Sequence, residues 1–432
     1  MKFKCYAQYN DSGVEWLGEI PEHWEVKRLK YCVDLVHDKI EGHGTELPYI
    51  GLENIESWTG RQILIQEQVS VEGQSNLFKS GDVLFGKLRP YLAKAFRTKE
   101  SGICTGELLV FRPKETIQSY LFNYLLSKQF IQLVDSSTYG TKMPRAEWKF
   151  IGNVMCPVPP IKEQKAVADF LKRETEKIDA LIEKKERLIE LLKEKRTALI
   201  THAVTKGLDP NVPMKDSGVV WLGEIPAKWR LFRLKYLTSQ PLSYGANETG
   251  DLAEPGLPRY IRITDVCEDG TLRNDTFVSL AEVIAKPFLL KQGDLLLARS
   301  GATVGKSFLY NKTWGRSAYA GYLIRARLDN NKTVAKYIWY FTQSETYWDW
   351  LKTNFIQATI QNVSAERYSN LSIPLPSLNK QRRIVNFLDK EAEKISVLID
   401  KIREAIGRLK EYRTAFISAA VTGKIDVREE TA

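Results

Sequence analysis

Apolar residues recur every seven positions along two long stretches of this chain. From Ile161 to Lys206 there is neither Gly nor Pro. Leu171, Ile178, Leu192 and Leu199 keep the spacing there, with Lys185 as the one polar interruption. Leu181 and Leu188 stand three residues after Ile178 and Lys185, and Ile182 and Ile189 follow them. One apolar stripe on an otherwise charged helix is the pattern of a coiled-coil seam. Pro157-Val158-Pro159-Pro160 before the stretch and Gly207 after it are expected boundary residues. The design then returns. Pro374-Leu375-Pro376-Ser377 leads into Leu378 to Thr422, closed by Gly423. Leu388, Ile395, Ile402, Leu409 and Phe416 take the heptad position, with Leu398 and Ala405 at the three-residue step. The predicted seam is Leu171, Ile178, Leu181, Leu188 and Leu192 against Leu388, Ile395, Leu398, Ile402 and Leu409. Neither helix has the apolar surface to stand alone, and each is the natural partner of the other.

The segments before the helices also repeat. Asp11 to Pro21, Trp24 and Arg28-Leu-Lys-Tyr31 return as Asp216 to Pro226, Trp229 and Arg233-Leu-Lys-Tyr236, with fifteen of twenty-one positions identical. A repeat of this kind defines the architecture: globule, long helix, globule, long helix. The predicted boundaries are 1–156, 157–207, 208–373 and 374–432. Inside the globules, Pro48 to Leu52 answers Arg259 to Ile263, and Leu108 to Phe111 answers Tyr322 to Arg325. Gly81-Asp82-Val83-Leu84-Phe85 answers Gly293-Asp294-Leu295-Leu296-Leu297, a turn feeding a buried strand. Helical stretches follow over Ile117–Val134 and Thr333–Trp350, then polar loops over 136–145 and 357–364. The fold class is therefore α+β, with two globular α/β domains in pseudo-two-fold tandem repeat. A compact globule cannot easily carry the chain back along a helix about 65 Å long. The helix pair is thus expected to be an antiparallel coiled coil with a head at each end.

Composition narrows the function. The five cysteines are scattered and form no Cys-x-x-Cys pair, as expected of reduced thiols in a cytoplasm. The four histidines make no ligand cluster, and no stretch approaches a membrane span or a signal-peptide core. The formal charge of +10 points weakly to a polyanion. Gly301-Ala-Thr-Val-Gly305-Lys306-Ser307 is similar to a phosphate-binding loop but is one residue short between its glycines. A basic loop touching nucleic-acid phosphates fits it better. The sequence has no dinucleotide fingerprint, nucleophile elbow, methyltransferase motif or acidic nuclease constellation, which argues against an enzyme.

The Trp-Leu-Gly-Glu-Ile-Pro…Trp…Arg-Leu opening resembles the DNA-specificity subunit of type I restriction–modification enzymes. So do the two Gly-Asp strands, the Pro-x-Pro leads into paired helices, and the Gln164…Phe170 and Gln381…Phe387 helix starts. The resemblance spans nearly the whole chain, twice over. It implies a non-catalytic subunit with two target-recognition domains, each reading one half of a bipartite, asymmetric DNA site. The helices would act as spacer and as docking surface for two methyltransferase subunits, joined by motor/nuclease (restriction) subunits. S-adenosylmethionine, ATP and Mg2+ are then expected on those partners, with no cofactor, metal or catalytic residue in this chain. A structural coiled-coil adaptor is the alternative, and a stand-alone nuclease or methyltransferase a more distant one.

The expected DNA contacts lie in two loops per head. After the Gly-Asp strands they are Lys87, Arg89, Tyr91 and Lys94 in the first head, and Arg299, Ser300, Thr303 and Lys306 in the second. In the late polar loops they are Tyr139, Thr141, Lys142 and Arg145, then Gln357, Thr359, Gln361 and Asn362. Arg suits guanine, and Gln or Asn suits adenine. The Trp16 and Trp221 motifs, alike in both heads, suit scaffold or partner docking.

Overall fold

The computed structural model describes residues 4–41, 46–64, 73–140, 142–267, 270–273, 275–353 and 362–431. The chain divides into two compact units, Met1–Glu186 with Ile402–Ala432, and Arg187–Lys401. Two long helices, Ile161–Thr205 and Leu378–Val421, each contribute to both units.

The two units are built alike. In the first, β1 (Val33–Val36), β2 (Val83–Gly86), β3 (Ala95–Arg97) and β4 (Leu108–Pro113) form an antiparallel sheet in the order β1-β4-β2-β3. In the second, β5 (Ser243–Tyr244), β6 (Leu295–Ala298), β7 (Ser307–Leu309) and β8 (Leu323–Ala326) take the same order, β5-β8-β6-β7. The central strands β2 and β6 are buried along their whole length, which is why they read as unbroken apolar runs. The Asp of each Gly-Asp turn is buried and paired. Asp82 takes two 2.9 Å bonds from Arg112, and Asp294 takes bonds of 2.8 and 2.7 Å from Arg327. Each carboxylate also accepts the backbone N–H of Lys79 or Lys291. These motifs close the strand turn.

Each predicted helical stretch is two helices: α1 (Gln118–Leu125) and α2 (Lys128–Ser136), then α4 (Ala335–Phe341) and α5 (Glu345–Thr353). The label α3 belongs to Trp148–Ile151, and α6 to Ala365–Ser369. Ser127 and Ser344 stand at the breaks, and a distant hydroxyl also caps each second helix. The N–H of Lys128 donates to Ser418 Oγ, and that of Glu345 to Thr201 Oγ1, both at 2.9 Å. A long-helix hydroxyl therefore meets an orphan donor at the second helix's start.

The long helices hold each head by matching bonds. Tyr120 Oη donates to Pro157 O and Val421 O in the first unit; Tyr337 Oη donates to Pro374 O and Val204 O in the second. Gln164 and Gln381 are wholly buried. Gln164 accepts from Ile117 N at 2.8 Å and donates to Pro159 O; Gln381 accepts from Val334 N at 2.8 Å and donates to Pro376 O. The Pro-x-Pro…Gln motif is thus a joint between head and helix.

Within each unit the helix pair is antiparallel. In the first, Phe170 packs on Phe416 with ring centroids 5.3 Å apart, while the later residue Asp179 meets the earlier Arg413. In the second, Ile200, Ala203 and Val204 share a core with Ile384, Val385 and Leu388.

The seam differs from the sequence expectation at three places. Leu171, Ile178, Leu388, Ile395 and Ile402 are buried and Leu192 and Leu409 half-buried, but Leu181, Leu188 and Leu398 are 43, 43 and 44% exposed. Their neighbours Ile182, Ile189 and Ile399 are buried instead. At 3.6 residues per turn, a residue four positions on lies about 40° off the starting direction, and one three positions on about 60° off on the other side. The seam follows the smaller deviation. That leaves exposed leucines beside it on both helices. No helix among the described residues is long and apolar enough to cross a membrane.

Candidate nucleic-acid interface

In both units the loop after the buried central strand is stitched to the loop that precedes α3 or α6. In the first unit Arg89 N donates to Pro144 O at 2.8 Å, and Ala146 N to Lys87 O at 2.9 Å. In the second, Val363 N donates to Arg299 O at 2.8 Å, and Ser300 bridges Asn362. The loop after the central strand and the described part of the late loop, more than forty residues apart in sequence, therefore form one surface in each unit.

The side chains have different roles on that surface. Arg89 is exposed and left-handed at φ 49°, capping the short 3-10 turn Pro90–Leu92 that presents Tyr91 to solvent. Tyr139 and Lys142 are exposed at the hairpin tip, whose ends join through Tyr139 N to Arg145 O at 3.2 Å. Arg145 forks onto Glu107, with Nη2 to Oε1 at 3.0 Å. Lys94 turns inward and donates to Leu52 O at 2.6 Å. Burial, partly offset by Glu53, holds its ammonium below the usual lysine value. It braces the loop instead of reaching outward. Lys87, half-buried, lines a groove of about 370 Å³ with Lys39, Asn76, Tyr139, Arg145 and Trp148.

In the second unit the Arg299 guanidinium lies 4.7 Å over the Tyr244 ring, and its Nε is 3.5 Å from Asn362 Oδ1. Thr303 is half-buried at the end of a 3-10 turn, and Lys306 is exposed. Thr141, Gln357, Thr359 and Gln361 lie outside the described residues. The loop resembling a phosphate cradle is explained by packing. Gly305 sits at φ 85°, where a Cβ would strike Leu351 Cδ2, and the Ser307 hydroxyl is held by Thr342 and Gln343. Sequence reading missed Glu107 and Tyr244, which orient the two arginines; only their contacts reveal them. No group of three or more His, Cys, Asp and Glu suited to a metal ion occurs among the described residues.

Two structurally matched units, each presenting a paired-loop surface of different side chains on one scaffold, define a tandem-repeat recognition protein. The family model described as "Type I restriction modification DNA specificity domain" matches residues 21–191 and 247–407. The chain belongs to this family, and it is a specificity subunit, the non-catalytic component of its complex. It is 23% identical to the type I restriction enzyme MjaVIII specificity subunit of Methanocaldococcus jannaschii, over 95% of this chain and 94% of that one. Against the EcoKI specificity subunit of Escherichia coli it is 22% identical, over 73% of this chain and 68% of that one. Among solved structures, one from a study of complex assembly and conformational transition of the type I R-M system covers 93% of this chain and 98% of its own, with TM-score 0.70 and 20% identity. The HsdS subunit from Thermoanaerobacter tengcongensis covers 94% and 98%, with TM-score 0.50 and 20% identity.

Proposed function

We propose that each unit reads one half of a bipartite, non-palindromic DNA site through its paired loops. The observation that carries this reading is the common stitching with different contents: Arg89 and Arg145 in the first unit, Arg299 and Asn362 in the second. Arg forks onto guanine O6 and N7, and Asn onto adenine N6 and N7, in the major groove. Two half-sites read by unlike loops are unlike in sequence.

The long helices set the spacing between half-sites and dock two methyltransferase subunits. Helices of 45 and 44 residues are about 65 Å long, more than the ~34–36 Å of one turn of B-DNA. The exposed leucines beside the seam supply apolar contacts for those subunits. S-adenosylmethionine belongs to the methyltransferases, and ATP and Mg2+ to the motor/nuclease subunits.

Adenine-methylation mapping tests this reading in cells carrying the chain with its methyltransferase and in cells lacking only the chain. The expected result is one bipartite motif with a fixed unread gap, present only with the chain. Exchanging residues 22–156 should then change one half of that motif. A pattern indifferent to the chain overturns the reading.

A further inference from the structure

A small polar cluster occurs twice, once in each unit, outside the reading loops. In the first unit Asn153, just after α3, donates from Nδ2 to Lys149 O at 2.7 Å and accepts from Arg28 Nη1 at 3.4 Å. In the second, Asn370, just after α6, donates from Nδ2 to Glu366 O at 3.1 Å. It accepts from Arg233 Nη1 at 3.4 Å and from Lys235 Nζ at 3.0 Å. Lys30 lies over the Tyr31 ring and Lys235 over the Tyr236 ring, each 5.4 Å from the centroid. Tyr31 is 59% exposed and Tyr236 58%. Among the described residues, none of these four cations meets a carboxylate.

We propose that these twin clusters grip the DNA backbone beside each half-site, holding phosphates without reading bases. The inference rests on the reading of the chain as a two-headed DNA reader. Three observations support it. First, the Arg, Tyr and Asn of each cluster are exposed and its Lys half-buried, yet all four residue types recur here while the reading loops differ. The ligand is therefore the same in both units, and at two unlike half-sites the common ligand is the sugar–phosphate chain. Second, the clusters adjoin the reading loops. α3 follows the Arg145 loop and α6 follows Asn362, so one short helix of about 6–8 Å separates loop from cluster. In the second unit Tyr244 ties that helix to the reading loop. Its hydroxyl accepts Ala365 N at 3.0 Å while its ring carries Arg299. Third, the donors are those that phosphate contacts use, namely Arg, Lys, Tyr and Asn. The cores of protein–protein interfaces are depleted in Lys, which disfavours a protein occupant.

The test uses the full chain assembled with its methyltransferase, as wild type and as Lys30→Ala/Lys235→Ala. Binding to the methylation-mapped duplex and to a scrambled duplex is titrated between 50 and 200 mM salt. With two phosphate contacts removed, the slope of log K against log salt should fall by about 2. Affinity for both duplexes should drop by the same factor, about tenfold at low salt, and the methylated motif should stay unchanged. Lys30→Arg/Lys235→Arg should restore the slope, which separates lost charge from misfolding. An unchanged slope overturns the proposal, as does a changed motif. Loss of methyltransferase co-elution in the absence of DNA also overturns it, by assigning the clusters to a protein. If the wild-type assembly itself fails to distinguish the two duplexes, the two-headed reading fails and the cluster proposal falls with it. If the wild type discriminates and the variant matches it, only the cluster proposal fails.

Discussion

Arg413 of the second long helix donates from Nε to Asp179 of the first at 2.9 Å, and both side chains are buried in the first unit. Arg61 adds a second ion pair to the same carboxylate, also at 2.9 Å, and Arg413 Nη1 donates to Trp58 O. The loop bearing Trp58 and Arg61 is thereby fixed to both helices. Aligning the helices without gaps from Pro157 and Pro374 to Thr205 and Thr422 places Arg196 and Ser396 at the equivalent positions of the second unit. There the Arg196 Nε is buried without a hydrogen-bond partner.

Removing one member of a buried pair strands the other charge. Asp179→Ala should destabilise the first unit by about 3–5 kcal/mol, read as an earlier urea transition and faster amide exchange around Trp58. Ser396→Asp should have the opposite sign, stabilising the second unit by about 1 kcal/mol as Arg196 gains a carboxylate. An Asp179→Ala chain that melts like wild type would show that the pair is not a structural tie.

Gln164 and Gln381 each satisfy a part-buried backbone N–H at the start of α1 or α4. Gln381→Ala leaves Val334 N and Thr333 Oγ1 without their acceptor. The expected loss is about 2–3 kcal/mol, confined to the second unit. Gln164→Ala should mirror it in the first. Unit-resolved hydrogen exchange checks both.

Glu107 holds Arg145 in a fork, so Glu107→Ala should release that guanidinium. One half of the methylated motif should relax, with about 1–3 kcal/mol of base discrimination lost. Asn362→Ala should relax the other half alone. Methylation mapping of the two variants reads this directly, and a change in both halves from one substitution would refute the assignment.

The exposed leucines make the opposite prediction to the buried seam. Leu181→Lys with Leu398→Lys should leave urea unfolding within about 0.5 kcal/mol of wild type and weaken methyltransferase co-elution. Ile182→Ala should cost about 2–4 kcal/mol of stability.

Thiol reactivity should divide the cysteines. Burial pushes the Cys104 thiol up to about 12, so at pH 8 it stays protonated and unreactive. Cys32 and Cys156 are buried as well, while Cys5 and Cys267 are exposed. Mass spectrometry after brief alkylation should find label at Cys5 and Cys267 alone, and at Cys104 only after unfolding.

Local pattern carried the elements whose causes are local. The heptads gave both long helices, and Gly81-Asp82 and Gly293-Asp294 gave the buried strands. The paired loops follow from polarity and position; they meet in the first unit, and in the second at Asn362 and Val363, the rest of that late loop lying outside the described residues. What was not legible depends on distant partners. The tie of Lys128 N to Ser418 at the start of α2 leaves no mark in the local pattern. Lys94 reads as a free cation until Leu52 O is seen beneath it. The choice between Leu181 and Ile182 turned on a few tens of degrees around a helix, finer than a heptad pattern resolves.

The joint made by Tyr120, Gln164 and Ser418, and again by Tyr337, Gln381 and Thr201, is independent of what the reading loops contain. Its bonds run to main-chain atoms at the ends of elements, none of them in the loops that hold Arg145 or Asn362. A gene could therefore trade one reading surface for another, inheriting a new address for the methyl mark, while every fastener that seats the head on its helices stays as it was.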